Sequence, residues 1–116
     1  MNFKNFLDLI QVFANEYASP GNTILILGLF APEIKNVFEF IGCDIIFVND
    51  FYDKNFDIIC SYKSLPFEEK SFDIILNFTD LDYFHFLKPS GNILMKGEIL
   101  NGQFYYFIDN QCFTVI

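Results

Sequence analysis

The residues best equipped for chemistry in this chain stand at or just after the ends of apolar runs. Gly28 follows TILIL, Asp50 closes DIIFVND, Ser61 closes FDIICS, and Asn77, Thr79 and Asp80 end or follow SFDIILNF. A carboxylate accepts hydrogen bonds, while a hydroxyl and an amide both donate and accept, so each could hold a polar ligand. Each also has a plainer use. Aspartate in NDFYD is a turn-former, and the Asn77, Thr79 and Asp80 group can cap the turn that follows it. His85, the single histidine, lies between Phe84 and Phe86. It could serve as a base, but no partner is set by the sequence, and we read it as a half-buried, hydrogen-bonded imidazole. Asp80 with Asp82 and Glu68 with Glu69 are spaced like acid pairs, which solvated turns explain as well. Cys43, Cys60 and Cys112 are odd in number, far apart and set in apolar runs, so free buried thiols are expected and no metal site is assigned.

The elements that carry these residues follow from hydrophobic spacing. Phe3, Phe6, Leu7, Ile10, Phe13, Ala14 and Tyr17 recur at helical intervals, predicting an amphipathic helix capped by Asn2 and stopped by SPGN. TILIL, Thr23 to Leu27, is short and wholly apolar, as suits a strand buried on both faces. A second helix is predicted from Pro32, whose missing N–H costs nothing in a first turn, to Gly42. Strands follow at DIIFVND, FDIICS (Phe56 to Ser61), SFDIILNF and NILMKGEI, with Asp80 to Gly91 forming a short helical turn at most. Only FYDKN separates the second strand from the third. A parallel crossover needs a dozen residues or more, so that pair is expected to be joined out of sheet order. Asn101-Gly102 and the DNQ stretch from Asp109 to Gln111 predict turns around two antiparallel strands, QFYYFI and CFTVI.

With 116 residues the chain fits one domain, residues 1–116, and with 53% hydrophobic and 20% aromatic residues, 17 of them Phe, it has ample material for a core. Its formal net charge of -8 would repel a phosphate backbone, so nucleic acid is excluded as a partner. No stretch has the ~20 apolar residues a membrane span requires, and the N-terminus lacks the continuous apolar core of a signal peptide, so we read the protein as cytoplasmic.

The segments TILILGLFAPE, DIIFVND, CSYKSLPFEEKSFDIILNF and FLKPSGNILM, from Thr23 to Met95, resemble in order and type the central part of the class I S-adenosylmethionine-dependent methyltransferases. The resemblance implies an α/β fold: a reduced Rossmann-like methyltransferase sheet, mostly parallel, with a C-terminal antiparallel hairpin. It also implies that Gly28 is the first glycine of the cofactor loop, that Asp50 accepts the ribose hydroxyls, that Ser61 faces the adenine amino group, and that Asn77, Thr79 and Asp80 orient a substrate. The chain departs from that pattern in the same loop. Ile26 stands where the family carries an acid, and Phe30 and Pro32 occupy later glycine positions, so bulk and a lost N–H replace a close-fitting backbone.

From these departures and the missing helices, the sequence is read as a degenerate, methyltransferase-like protein that lacks catalysis, binds no cofactor and acts by homo- or hetero-oligomeric association. No residue is given a catalytic role. Strands apolar on both faces with few helices to cover them leave one face wet, and association through Phe51 to Phe56, Tyr83 to Phe86, or Tyr105 and Tyr106 would recover about 25 cal/mol per Å². The alternatives are an active small methyltransferase that uses S-adenosylmethionine, and an unrelated receiver-like or flavodoxin-like domain.

Overall fold

The structure, a computed structural model, describes residues 2–3, 5–81, 84–96, 104–108 and 111–116, the side chains of residues 2–3, 84, 104–108 and 111–112 excepted. The first helix, α1 (Phe6–Tyr17), begins three residues later than its apolar stripe predicts. Its cap is Asn5 rather than Asn2, because the Asn5 side chain accepts the Asp8 N–H at 3.0 Å. Residues Asn2–Phe3 instead form a short strand, β1.

Strand β2 (Thr23–Leu27) is fully buried from Ile24 to Leu27. Helix α2 (Pro32–Ile41) has Pro32 in its first turn and ends at Gly42, whose φ of 101° is the left-handed geometry that glycine adopts without strain. Strand β3 is Asp44–Asn49, β4 is Ile58–Ile59 and β5 is Phe72–Asn77. A single 3-10 turn, Phe84–Phe86, precedes β6 (Leu87–Lys96). Strands β7 (Phe104–Ile108) and β8 (Gln111–Val115) pair antiparallel. The turn predicted at Asn101-Gly102 lies outside the described residues, as do Asp82, Tyr83 and the side chains of Phe84, Tyr105, Tyr106 and Cys112.

The eight strands make one sheet in the order β1-β7-β8-β6-β5-β2-β3-β4. From β2 through β6 every pairing is parallel, and the antiparallel pair sits beyond β6. This is the mostly parallel sheet with a C-terminal antiparallel hairpin that the sequence predicts. The expectation that β3 and β4 are joined out of sheet order does not hold: they are parallel neighbours, with Val48 beside Ile58 and Asn49 beside Ile59. A short link suffices because β4 pairs only with the last two residues of β3, so the chain need not return along the whole strand. Asp57 extends that ladder, its N–H donating to the Phe47 carbonyl at 2.9 Å and its carboxylate accepting the Phe47 N–H at 2.8 Å.

The strand before the hairpin also begins earlier than predicted. Phe72 pairs with Leu87 but Ile74 with Asn92, so residues 88–91 arch out of the ladder, which is how Pro89 is tolerated within a strand. Gly91 closes the arch against β5, where an added Cβ would lie 2.6 Å from the Asp73 carbonyl oxygen.

Both α-helices cover one face of the sheet, where Leu9, Phe13, Ile34 and Phe38 meet Ile24, Ile26, Ile74 and Leu76. No α-helix covers the other face among the described residues, yet Leu25, Leu27, Val48, Ile75 and Ile93 are buried there too. Their cover is irregular chain: Tyr62, Leu65 and Phe67 from the segment after β4, with Phe86 from the 3-10 turn. Phe67 stacks edge-on against Phe72 at 5.0 Å and against Phe86 at 6.3 Å. The expected wet face is therefore dry at its centre, because two aromatic side chains on a loop cover what a helix would.

Candidate functional site

Strand β2 is the point from which the chain winds in both directions, through β3 to β4 on one side and through β5 to β6 on the other. The carboxyl ends of strands at such a switch point part their loops and leave a crevice. Here it is a cleft of 640 Å³, within the range of small-molecule sites. Gly28, Leu29 and Phe30 line it from the end of β2, Asn49 and Asp50 from the end of β3, and Phe78, Thr79, Asp80 and Leu81 from the end of β5. Phe51, Asp53, Asn55, Phe56 and Tyr62 complete the wall.

Gly28 has a φ of 85°, and a Cβ there would press on Thr79 Cγ2 at 3.2 Å. Only glycine gives this turn its path without strain. Its N–H donates to the Val48 carbonyl at 3.0 Å, tying the loop to β3. Asp50 is exposed at the cleft, and no described residue hydrogen-bonds or ion-pairs with its carboxylate. Ser61 does not line the cleft; its Oγ accepts the Lys63 N–H at 3.2 Å and its carbonyl accepts the Ser64 N–H, which is turn geometry.

The Asn77, Thr79 and Asp80 group divides. Asn77, 1% exposed, is occupied by the turn: its Oδ1 accepts the Thr79 N–H at 2.9 Å and the Thr79 hydroxyl at 2.7 Å, and its Nδ2 donates to the Leu81 carbonyl at 2.6 Å. It shapes the wall that presents Thr79 and Asp80 to the cleft. His85 is exposed rather than half-buried, its ring 3.9 Å from that of Phe86, and it lies away from the cleft. Cys43 is buried and Cys60 half-buried, both free thiols; burial pushes both up, with Asp44 and Asp73 adding to the effect at Cys43.

The bulky loop does not plug the cleft. Ile26 points into the core beneath the helices, and the Phe30 ring packs edge-on against Phe47 at 5.0 Å and Phe56 at 6.2 Å, forming one wall. Sequence reasoning missed Asn49, which is buried and holds the β3 end in shape: its Nδ2 donates to the Phe51 carbonyl at 3.1 Å, and its Oδ1 accepts the Tyr62 hydroxyl at 2.7 Å. The signal available was an amide ending an apolar run. Among the described residues the cleft's charges are all of one sign, Asp50, Asp53 and Asp80, with no Lys, Arg or His in its lining. Among the described residues no three His, Cys, Asp or Glu side chains gather as a metal site, and no helix is long and apolar enough to cross a membrane.

Several solved structures share this fold, methyltransferases among them. A protein from Pyrococcus horikoshii superposes with a TM-score of 0.60 at 17% identity, over 78% of this chain and 55% of that one. The YcgJ protein of Bacillus subtilis gives 0.58 at 17% identity, over 78% and 50%. A SAM-dependent methyltransferase from Archaeoglobus fulgidus gives 0.53 at 17% identity, over 86% and 57%. This chain thus spans about half the length of the solved chains it matches. No protein-family model matches it, and no curated protein does. The fold is a reduced, Rossmann-like methyltransferase fold, and at such identities the likeness is one of fold.

Proposed function

We propose that the chain is a small nucleoside-binding domain of methyltransferase type, whose cleft takes S-adenosylmethionine or its demethylated product by the nucleoside half. The observation that carries this reading is the open cleft at the β2 and β5 ends with the Asp50 carboxylate on its rim, without a partner among the described residues. Asp50 would accept ribose hydroxyls, Gly28 would let the ligand approach the backbone, and Phe51, Phe56 and Tyr62 offer apolar surface for a base. S-adenosylmethionine supplies, when bound, a methyl group on a positively charged sulfur. A cleft whose described lining has three acids and no cation suits that charge and disfavours phosphate-bearing nucleotides.

The methionine half fits less well. Ile26 is committed to the core, Phe30 to its aromatic neighbours, and Pro32 has no N–H to give. The nucleoside half therefore carries the recognition. Calorimetry on the full chain tests this: adenosine and S-adenosylhomocysteine are expected to bind within about tenfold of one another, both tighter than roughly 100 µM, near -5.5 kcal/mol. Absence of binding by both at millimolar ligand overturns the reading. Free Cys43 and Cys60 support a reducing, cytoplasmic setting.

A second reading, association without catalysis, is favoured by a separate observation. Phe51 and Tyr52 are 67% and 82% exposed in the link before β4, and Ile59 is 41% exposed on β4 itself, the last strand at that side of the sheet. Exposed aromatic surface beside a short sheet edge is what a partner chain would cover. Sedimentation over micromolar concentrations is expected to give a dimer that Phe51→Ser with Tyr52→Ser dissociates; a wild-type monomer throughout contradicts it.

A further inference from the structure

A second cavity, of 340 Å³, lies on the other side of the Gly28 turn. It shares Gly28, Leu29 and Phe78 with the acidic cleft and is otherwise lined by Phe6, Phe113 and Lys96. The elements that build it come from distant parts of the chain: Phe6 opens α1, Lys96 ends β6, and Phe113 belongs to β8. The three rings form one surface, with Phe6 edge-on to Phe78 at 5.5 Å and tilted against Phe113 at 5.7 Å. Such a surface binds a flat or chain-like apolar group.

The charge of this cavity is the reverse of its neighbour's. Lys96 is exposed at its edge, no described residue pairs with its ammonium, and no acid among the described residues lines the cavity. In a chain of net charge -8, a cavity whose described lining holds a cation and no carboxylate is set apart from its surroundings. Gly28 and the Phe78 backbone form the partition between the two: the Phe78 N–H donates to the Leu27 carbonyl at 3.0 Å, and the Phe78 carbonyl lies 3.5 Å from where a Gly28 Cβ would be.

We propose that the aromatic cavity is a second binding subsite, for a small carboxylate with an apolar ring or chain, whose body packs on Phe6, Phe78 and Phe113 and whose carboxylate pairs with Lys96. An ammonium donates charged hydrogen bonds to a carboxylate, and the rings exclude water from one side of the pair. In describing this ligand as the acceptor side of a methyl-transfer site, the inference rests on the nucleoside reading of the adjoining cleft; the binding itself does not.

Titration of the full chain by NMR with trans-cinnamate, and with neutral cinnamamide as its control, tests the assignment. Cinnamate is expected to shift the amide signals of Gly28, Phe78 and Lys96, and to bind about tenfold more tightly than cinnamamide. Lys96→Met, which keeps the aliphatic stem on an exposed side chain, is expected to remove that preference, and Lys96→Arg to retain it. Adenosine at saturation is expected to leave cinnamate binding in place. No cinnamate binding, equal binding of the amide, indifference to Lys96→Met, or displacement by adenosine would each overturn the proposal. Cinnamate binding without adenosine binding would keep this subsite and remove the nucleoside reading; the converse would do the opposite.

Discussion

The two ends of the sheet use the same residue type to different ends. At the amino ends of β2 and β5, the Asp73 carboxylate is fully engaged: it accepts the Thr23 N–H at 2.8 Å and the Thr23 hydroxyl at 3.2 Å, and it pairs with Lys88 at 3.2 Å. Gly91 lies against the backbone carbonyl of the same residue with no room for a side chain. At the carboxyl ends, Asp50 faces an open cleft with no partner among the described residues. A carboxylate already supplied with donors stabilises the fold; one left without them is available to a ligand. The difference lies in neighbours brought in from other strands, since both aspartates adjoin apolar stretches of similar composition.

The contrast can be broken most severely at Gly91. Gly91→Ala drives a Cβ against the Asp73 carbonyl, a backbone atom that cannot rotate aside, and is expected to cost about 3 kcal/mol by chemical denaturation. A near-neutral result would mean that the arch is looser than its geometry.

Asp73 comes next. Asp73→Ala leaves the Thr23 N–H without its acceptor and is expected to cost about 2 kcal/mol. Burial pushes the Asp73 carboxyl up, but the Thr23 N–H and the Lys88 ammonium outweigh it and hold it below the usual carboxylate range. A folded-state pKa below the unfolded one gives stability that is complete above the ordinary carboxylate range, near pH 4, and is lost as the pH falls through the lowered value. The stability difference between wild type and Asp73→Ala should therefore shrink in acid, as denaturation curves at a series of pH values would show. Asp50→Ala marks the smallest effect on folding, within about 0.5 kcal/mol of wild type, because its carboxylate holds nothing together.

Much of the fold could be read from local pattern. Pro32 and Gly42 bound α2 because each acts through its own backbone geometry, and the full burial of Ile24, Leu25, Ile26 and Leu27 on alternate faces follows from an apolar run with no polar face. What could not be read depends on residues far apart in the chain. The link between β3 and β4 is short because of the register of Val48 with Ile58, which no crossover rule contains. The helix-free face is dry because Tyr62 and Phe67 fold back over it from a stretch that reads as loop. Gly28 and Asp50 were legible as cleft residues, whereas Ser61 proved to be engaged in its own turn, and Lys96 acquires interest only when α1 and β8 bring Phe6 and Phe113 beside it.

The central claim is that Asp50 is kept for a nucleoside. Titration of S-adenosylhomocysteine into wild type and Asp50→Ala by calorimetry addresses it directly. The account predicts saturable binding to wild type and at least about tenfold weaker binding to the equally stable variant, the loss expected for a charged hydrogen bond. Equal affinity in the two proteins, or none in either, would contradict it.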